Sequence, residues 1–208
     1  MPETMDGLSM DLERANMDKL RAVGVKGASE SMISKYLGVV CDENRYNPVL
    51  DMLEGTAWDG CTRFPQFLQV VGHDPGSLAA VLLRKWLMQC VAMAHNTAER
   101  REAAEGVLTL QGPQGVGKTL LCRRLSIRPE WFAEGVTLDL KNKDQIINAT
   151  GAWITELGEL DSTLKRDQSS LKAFITSPSD RVRAPYAREA SFLPRYTSFC
   201  ATVNPGEF

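Results

Sequence analysis

Residues 112–119 read Gly-Pro-Gln-Gly-Val-Gly-Lys-Thr, a complete instance of the pattern G-x-x-x-x-G-K-[ST]. The pattern describes a mechanism as much as a spelling. Gly115 and Gly117 have no Cβ, so a loop through them can take dihedrals that turn successive backbone N–H groups toward an anion. Lys118 can then reach the β- and γ-phosphates of a nucleotide, and the Thr119 hydroxyl can ligate Mg²⁺. The flanks agree. Val107–Leu110 is a short apolar run of strand type, and Thr119–Leu125 reads as a helix whose N-terminus adds its dipole to a phosphate site. Residues Gly112, Pro113, Gln114, Gly115, Val116, Gly117, Lys118 and Thr119 are therefore the expected binding loop for ATP with Mg²⁺.

The rest of such a site must come from elsewhere in the chain. Phosphoryl chemistry needs a carboxylate at the end of a neighbouring strand, on the magnesium side, and a group that polarises the attacking water. Ala152–Leu157 is an apolar strand pattern running into Glu156, Glu159 and Asp161. Glu156 is the first choice for the magnesium side and Glu159 for the water, although the order can be reversed. A further strand pattern, Ser198–Val203, ends at Asn204. A neutral polar side chain there can hydrogen-bond the γ-phosphate or its attacking water.

With 208 residues and 43 % hydrophobic content the chain can bury one sizeable core and a smaller appended unit. From Glu105 onward short apolar runs alternate with helical ones: Val107–Leu110, a helix, Val136–Leu140, Asp144–Ala149 helical, Ala152–Leu157, Thr163–Thr176 helical, then Ser198–Val203. The alternation predicts a three-layer α/β domain with a largely parallel sheet over 105–208. Residues 31–104 read as a helical region, and 1–30 as a polar arm with one amphipathic stretch over Leu12–Val23. Within the helical region, Ser31–Leu37 is a short helix and Asn47-Pro48 opens another. In the longest helix Leu78, Leu82, Trp86, Cys90 and Met93 fall on one line, taken as the core face. Trp58–Pro65 is a turn in which Asp59 and Arg63 can pair.

Charge and cysteines narrow the class. A formal net charge of −2 gives no overall attraction to nucleic acid. Any DNA contact must come from a local cluster, and Arg181, Arg183, Arg188 and Arg195 supply one within 15 residues. Guanidinium groups suit phosphates, although a solvated surface with Asp/Glu pairs accounts for the run equally simply. Five scattered cysteines without a C-x-x-C read as small buried apolar residues in a reducing compartment. His73 and His95 lack metal-ligand spacing and read as structural or surface residues. No run is long enough to span a membrane, and no signal peptide opens the sequence, which predicts a cytoplasmic protein.

Taken in order, these blocks resemble the virulence-associated protein E family of phage and mobile-element replication genes. They are Asn47-Pro48-Val49, Trp58-Asp59-Gly60 with Arg63, Arg84-Lys85-Trp86-Leu87 and Leu110–Thr119. They continue with Trp153–Leu160, Leu171–Thr176, Asp180 with Arg183–Tyr186, and Thr202-Val203-Asn204 before Glu207-Phe208. The resemblance covers about residues 32–208. It implies a superfamily 3 helicase within the AAA+ ATPases: a ring-forming homo-oligomer, possibly hexameric, that moves along single-stranded DNA at a replication origin with a primase or other replication proteins as partners. It implies Lys118 and Thr119 as the phosphate and Mg²⁺ residues, Glu156 and Glu159 as the acidic pair, and Asn204 as the sensor. Arg181, Arg183 and Arg188 occupy the stretch in which such enzymes carry a DNA-touching hairpin. Relatives continue past the sensor through a segment resembling an arginine finger, so the resemblance also implies a core incomplete at its C-terminus. Two other readings stand beside the motor: a nucleotide-binding switch or interaction module with little hydrolysis, and, more remotely, a small-molecule kinase.

Overall fold

The structure is a computed structural model that describes Ser29, residues 46–158, 168–182 and 191–204, with backbone only at 181, 182 and 191. The chain divides into two compact units, Met1–Asn47 and Pro48–Phe208, and all the described helices and strands belong to the second. The stretches Leu12–Val23 and Ser31–Leu37 lie outside the described residues.

Among the described residues three helices come first: α1 (Pro48–Gly55), α2 (Phe64–Val70) and α3 (Leu78–Ala94). Pro48 is the first residue of α1, where its missing N–H has no helical partner to lose. The loop before α2 is fixed by Asp59. Its carboxylate accepts from the Cys61 backbone N–H at 3.0 Å and from both terminal nitrogens of Arg63, the Nη1 contact at 3.0 Å. Gly60 supplies the positive φ of +82° that the turn requires. The Arg63 guanidinium holds the Asp59 carboxyl below the usual carboxylate range, and Asp59 raises Arg63 in return. The expected local pair is therefore present.

Helix α3 begins at Ser77, whose hydroxyl accepts from the Ala80 N–H at 3.1 Å. Its buried face is Ala80, Leu83, Trp86, Cys90, Met93 and Ala94. This corrects the expected line in its first half, because Leu78 is 73 % and Leu82 55 % exposed. The helix is apolar nearly all round, so its periodicity offers more than one face. The choice is made by Leu68 of α2, which packs on Ala80 and Leu83 rather than on Leu82. Trp86 is a core residue, as expected, and its indole N–H donates to the Phe199 carbonyl at 2.9 Å.

The remaining elements are β1 (Leu108–Gln111), α4 (Lys118–Leu125), a short 3₁₀ turn (Pro129–Trp131), β2 (Phe132–Val136), α5 (Lys143–Thr150), β3 (Ile154–Leu157), α6 (Gln168–Ile175), β4 (Ser179–Val182), β5 (Ser191–Pro194) and β6 (Ser198–Val203). Strands β1, β6, β3 and β2 form, in that spatial order, a four-stranded parallel sheet. Strands β4 and β5 form a separate antiparallel pair. The protein is thus mixed α/β with a parallel sheet and helices, as the alternation predicts. One strand is misplaced by the sequence reading: β2 is Phe132–Val136, not Val136–Leu140. Gly135, at φ +61°, breaks the apolar pattern inside the true strand, while buried Leu138 mimics one beyond it.

Alternation along the strands sends side chains to two cores. On one face Leu157, Phe199 and Ala201 meet Ala149 of α5 with Leu171 and Ile175 of α6. On the other, Ile154 and Cys200 meet Cys122 of α4 with Trp86 and Cys90 of α3. The Trp153 indole N–H donates to the Cys90 carbonyl at 2.9 Å, tying α3 to the sheet.

Thr155 is fully buried on β3, and its hydroxyl has no hydrogen-bond partner among the described residues. A buried unsatisfied hydroxyl costs about 1–3 kcal/mol, and valine has the same shape without it. Thr155→Val is expected to stabilise the fold by about 1 kcal/mol, raising the thermal midpoint by roughly 2–4 °C. A lowered midpoint in calorimetry would contradict this account of the residue.

Candidate functional site

All strands of the sheet run parallel, so their carboxyl ends share one edge, the place where open α/β sheets bind ligands. Three of these ends supply the residues singled out in the sequence. After β1 the chain enters the glycine-rich loop, where Gly115 (φ +83°) and Gly117 (φ +91°) both lie in the left-handed region. Lys118 opens α4 directly behind them. A hydrogen bond from the Gly112 N–H to the Val203 carbonyl (3.2 Å) ties the start of the loop to the end of β6. The loop and Asn204 are therefore neighbours by strand register, Gln111 lying opposite Val203.

Lys118 uses all three ammonium protons on this edge. It donates to the carbonyls of Gly112 (2.6 Å) and Pro113 (2.9 Å) and to Asn204 Oδ1 (3.3 Å). The Thr119 hydroxyl donates to Glu156 Oε1 at 2.8 Å. Glu156 sits near the end of β3 and is only 4 % exposed. Its Oε1 also accepts the hydroxyl of Thr202, again at 2.8 Å. Beyond it Gly158 must be glycine. A Cβ there would fall 2.9 Å from the Gly135 carbonyl oxygen, and the Gly158 N–H donates to Val136 O at 2.9 Å. That close approach fixes the strand end that carries the carboxylate.

One cavity of about 450 Å³ is lined by Gln114, Gly115, Gly117, Lys118, Thr119, Leu120, Thr202 and Asn204, and Glu156 lies behind it, held by the lining hydroxyls of Thr119 and Thr202. One cation, one buried carboxylate, two hydroxyls and an amide converge from three separate stretches of chain. Chemically the set can hold a polyanion on loop amides and an ammonium, with a hard cation between hydroxyl and carboxylate. No group of three or more His, Cys, Asp or Glu able to cage a metal occurs among the described residues. A magnesium ion that shares its shell with phosphate oxygens and waters needs only one or two protein ligands. The oxygen pair Thr119–Glu156 is such a donor set.

The other expected site residues divide. Glu159, Arg183 and Arg188 lie outside the described residues, and of Arg181 only the backbone, on β4, is described. Arg195, counted with the basic cluster, turns out to be structural. It is 2 % exposed, its Nε donates to Asp180 Oδ2 at 2.8 Å, and its guanidinium lies 4.3 Å from the Phe174 ring centroid. Thr202 has no role in the sequence reading. A signal is nonetheless present: counting back by two from Asn204 along β6 puts Thr202 on the same face as the sensor position.

The cysteines behave mostly as expected. Cys90, Cys122 and Cys200 are buried, Cys61 is exposed, and Cys41 lies outside the described residues. Burial pushes the Cys90 thiol up to about 12. A hydrogen bond with Cys122, together with burial, pushes Cys200 above the ordinary thiol range. Cys90, Cys122 and Cys200 pack in one buried apolar cluster with Ile154 and Trp86.

The geometry defines a mixed α/β protein with a parallel sheet whose carboxyl edge gathers a glycine-rich loop, a lysine and a buried glutamate. A family model, the virulence-associated protein E-like domain, matches residues 53–208. The chain belongs to that family. Among solved structures it is similar to the apo A form of the NrS-1 C-terminal region, with a TM-score of 0.50 and 18 % identity, covering 77 % of this chain and 37 % of that one. A second structure of that region, spanning 305–718, gives a TM-score of 0.49 at 18 % identity, with 77 % and 36 % covered. At such identity the likeness concerns the fold, and this chain spans little more than a third of the solved chains. No curated protein sequence matches it. No helix among the described residues is long and apolar enough to cross a membrane.

Proposed function

We propose that this chain is the ATP-binding and ATP-hydrolysing part of a DNA helicase or translocase serving phage or mobile-element replication, built on a three-layer P-loop ATPase core. The observation that carries the reading is the meeting of Lys118, Thr119 and Asn204 at a single cavity, with the buried Glu156 carboxylate hydrogen-bonded to Thr119 behind it. Family membership supports it, and so does the strand order, which sets β6 between the strands bearing the loop and the carboxylate.

In this reading the loop amides of 114–117 wrap the polyphosphate, and Lys118 exchanges its carbonyl partners for phosphate oxygens. Thr119 and Glu156 would hold Mg²⁺, which when bound neutralises charge on the phosphate oxygens. Asn204, already within reach of Lys118, would meet the γ-phosphate end of the nucleotide. Glu156, or Glu159 beyond it, orients the water that attacks in line. Ring assembly would bring several copies of the β4–β5 arm, with Arg181, Arg183 and Arg188, around one strand of DNA. A net-acidic subunit would thereby acquire a basic, salt-sensitive channel.

The test is phosphate release from Mg²⁺-ATP by the full chain, with and without single-stranded DNA. Hydrolysis stimulated by DNA is the expected result. Tight ATP binding without turnover would favour the switch reading, and transfer to an acceptor other than water would favour a kinase.

A further inference from the structure

The two hydroxyls on Glu156 are not equivalent. Thr119 comes from the first turn of α4 and Thr202 from β6, the strand beside the one that carries Glu156, and both line the cavity. Register explains the Thr202 contact. Glu156 lies opposite Cys200 on the neighbouring parallel strand, so Thr202 is one same-face step further toward the carboxyl edge. Threonine is β-branched and stiff about χ1, and its backbone is committed to the ladder with β1 opposite Leu110. Its hydroxyl is therefore held where the carboxylate lies. Both donors use Oε1, at 2.8 Å each, while Oε2 accepts no hydrogen bond among the described residues.

We infer that Thr202 is a positioning residue that fixes the Glu156 carboxylate so that the Thr119 oxygen and Glu156 Oε2 both face a bound divalent cation. The inference rests on the nucleotide reading of the site and deepens it. With Oε1 doubly occupied, the carboxylate cannot turn about its terminal bond without breaking two hydrogen bonds. The Thr119 hydroxyl donates its proton to Oε1, so its oxygen keeps lone pairs for a cation. Oε2 is left as the acceptor for the cation or for a water in its shell. Groups that hold a ligand's orientation in this way typically matter by 10–100-fold in metal affinity, although they never touch the ion. The Thr202 hydroxyl is bonded to Glu156 and not to Lys118 or the loop, so its effect should fall on the cation and not on the phosphates.

The experiment follows binding of a fluorescent ADP analogue to the full chain, first in EDTA and then across a magnesium titration, for wild type, Thr202→Val and Thr202→Ser. Valine keeps the shape and strand preference of threonine, and EDTA binding reports whether the site is still folded. We expect Thr202→Val to lose far less affinity for the analogue in EDTA than in magnesium, and to require about tenfold more magnesium for half-maximal enhancement. Thr202→Ser, which keeps the donor, should return to within about threefold of wild type. An unchanged magnesium midpoint in Thr202→Val overturns the inference. So does a loss of EDTA binding that matches the loss in magnesium, which would make Thr202 part of the nucleotide wall. Wild-type protein that binds no nucleotide in either condition removes the proposed function itself, and this inference with it.

Discussion

Replacing Lys118 with alanine is expected to weaken nucleotide binding by roughly a hundredfold or more, with little change in the stability of the fold. The asymmetry follows from the surroundings of the side chain. In the structure the ammonium is half-buried and satisfied by two loop carbonyls and Asn204 Oδ1. All three acceptors border the cavity or its loop, so water can replace the lost donor when the side chain is cut back. A bound triphosphate has no such substitute. Removing one member of a desolvated charge pair costs about 2–5 kcal/mol, and each 1.4 kcal/mol is about tenfold in affinity. Titration calorimetry with ATP and magnesium measures the first quantity and urea unfolding the second. Equal ATP affinity in Lys118→Ala and wild type would show that this loop does not grip phosphate. A large drop in the urea midpoint would instead assign Lys118 to the scaffold.

The second large effect concerns stability. Asp180→Ala is expected to destabilise the protein by about 3–5 kcal/mol, because it strands the Arg195 guanidinium in a dry environment. Arg195 is 2 % and Asp180 9 % exposed. Besides its pairing with Asp180, the guanidinium donates to the Phe174 carbonyl and lies within cation–π range of the Phe174 and Phe199 rings, which pack on each other. The Arg195 carbonyl accepts from Asn96 Nδ2 at 2.7 Å, which extends the network to the end of α3. A buried pair contributes little over well-packed apolar residues, so replacing both partners should do less harm than removing one. The double variant Asp180→Leu/Arg195→Met is therefore expected to lie closer to wild type than Asp180→Ala in urea denaturation. If the double variant is the worse of the two, the cost belongs to the hydrogen bonds at Phe174 and not to the unpaired charge.

What the sequence makes readable is local chemistry. The loop at 112–119 is recognisable because its glycines and lysine act within one turn of chain, and Glu156 because an apolar strand announces its own end. Asn204 is visible for the same reason. Arg195 is misread from sequence because its partner, Asp180, acts through the pairing of β4 with β5, which composition cannot show. Along the chain it is one arginine among four. The face of α3 is half misread because nearly every position in Leu78–Ala94 is apolar, and only Leu68 on another helix distinguishes Leu83 from Leu82. Thr202 escapes notice because a threonine inside a strand is ordinary until the register of the neighbouring strand sets a carboxylate beside it. Such relations are long-range.

Strand β6 has one more property. Its beginning follows Arg195, which is clamped to Asp180 and Phe174. Thr197 is tethered to the carbonyls of Thr150 (3.0 Å) and Ala152 (2.5 Å) just before the strand starts. Its far end delivers Thr202 and Asn204 to the cavity. The strand between them is roughly 17 Å long, at about 3.3 Å per residue, with Cys200–Val203 paired to β1 and Ser198–Ala201 to β3. The β4–β5 pair and the Asn204 amide therefore flank opposite ends of one strand.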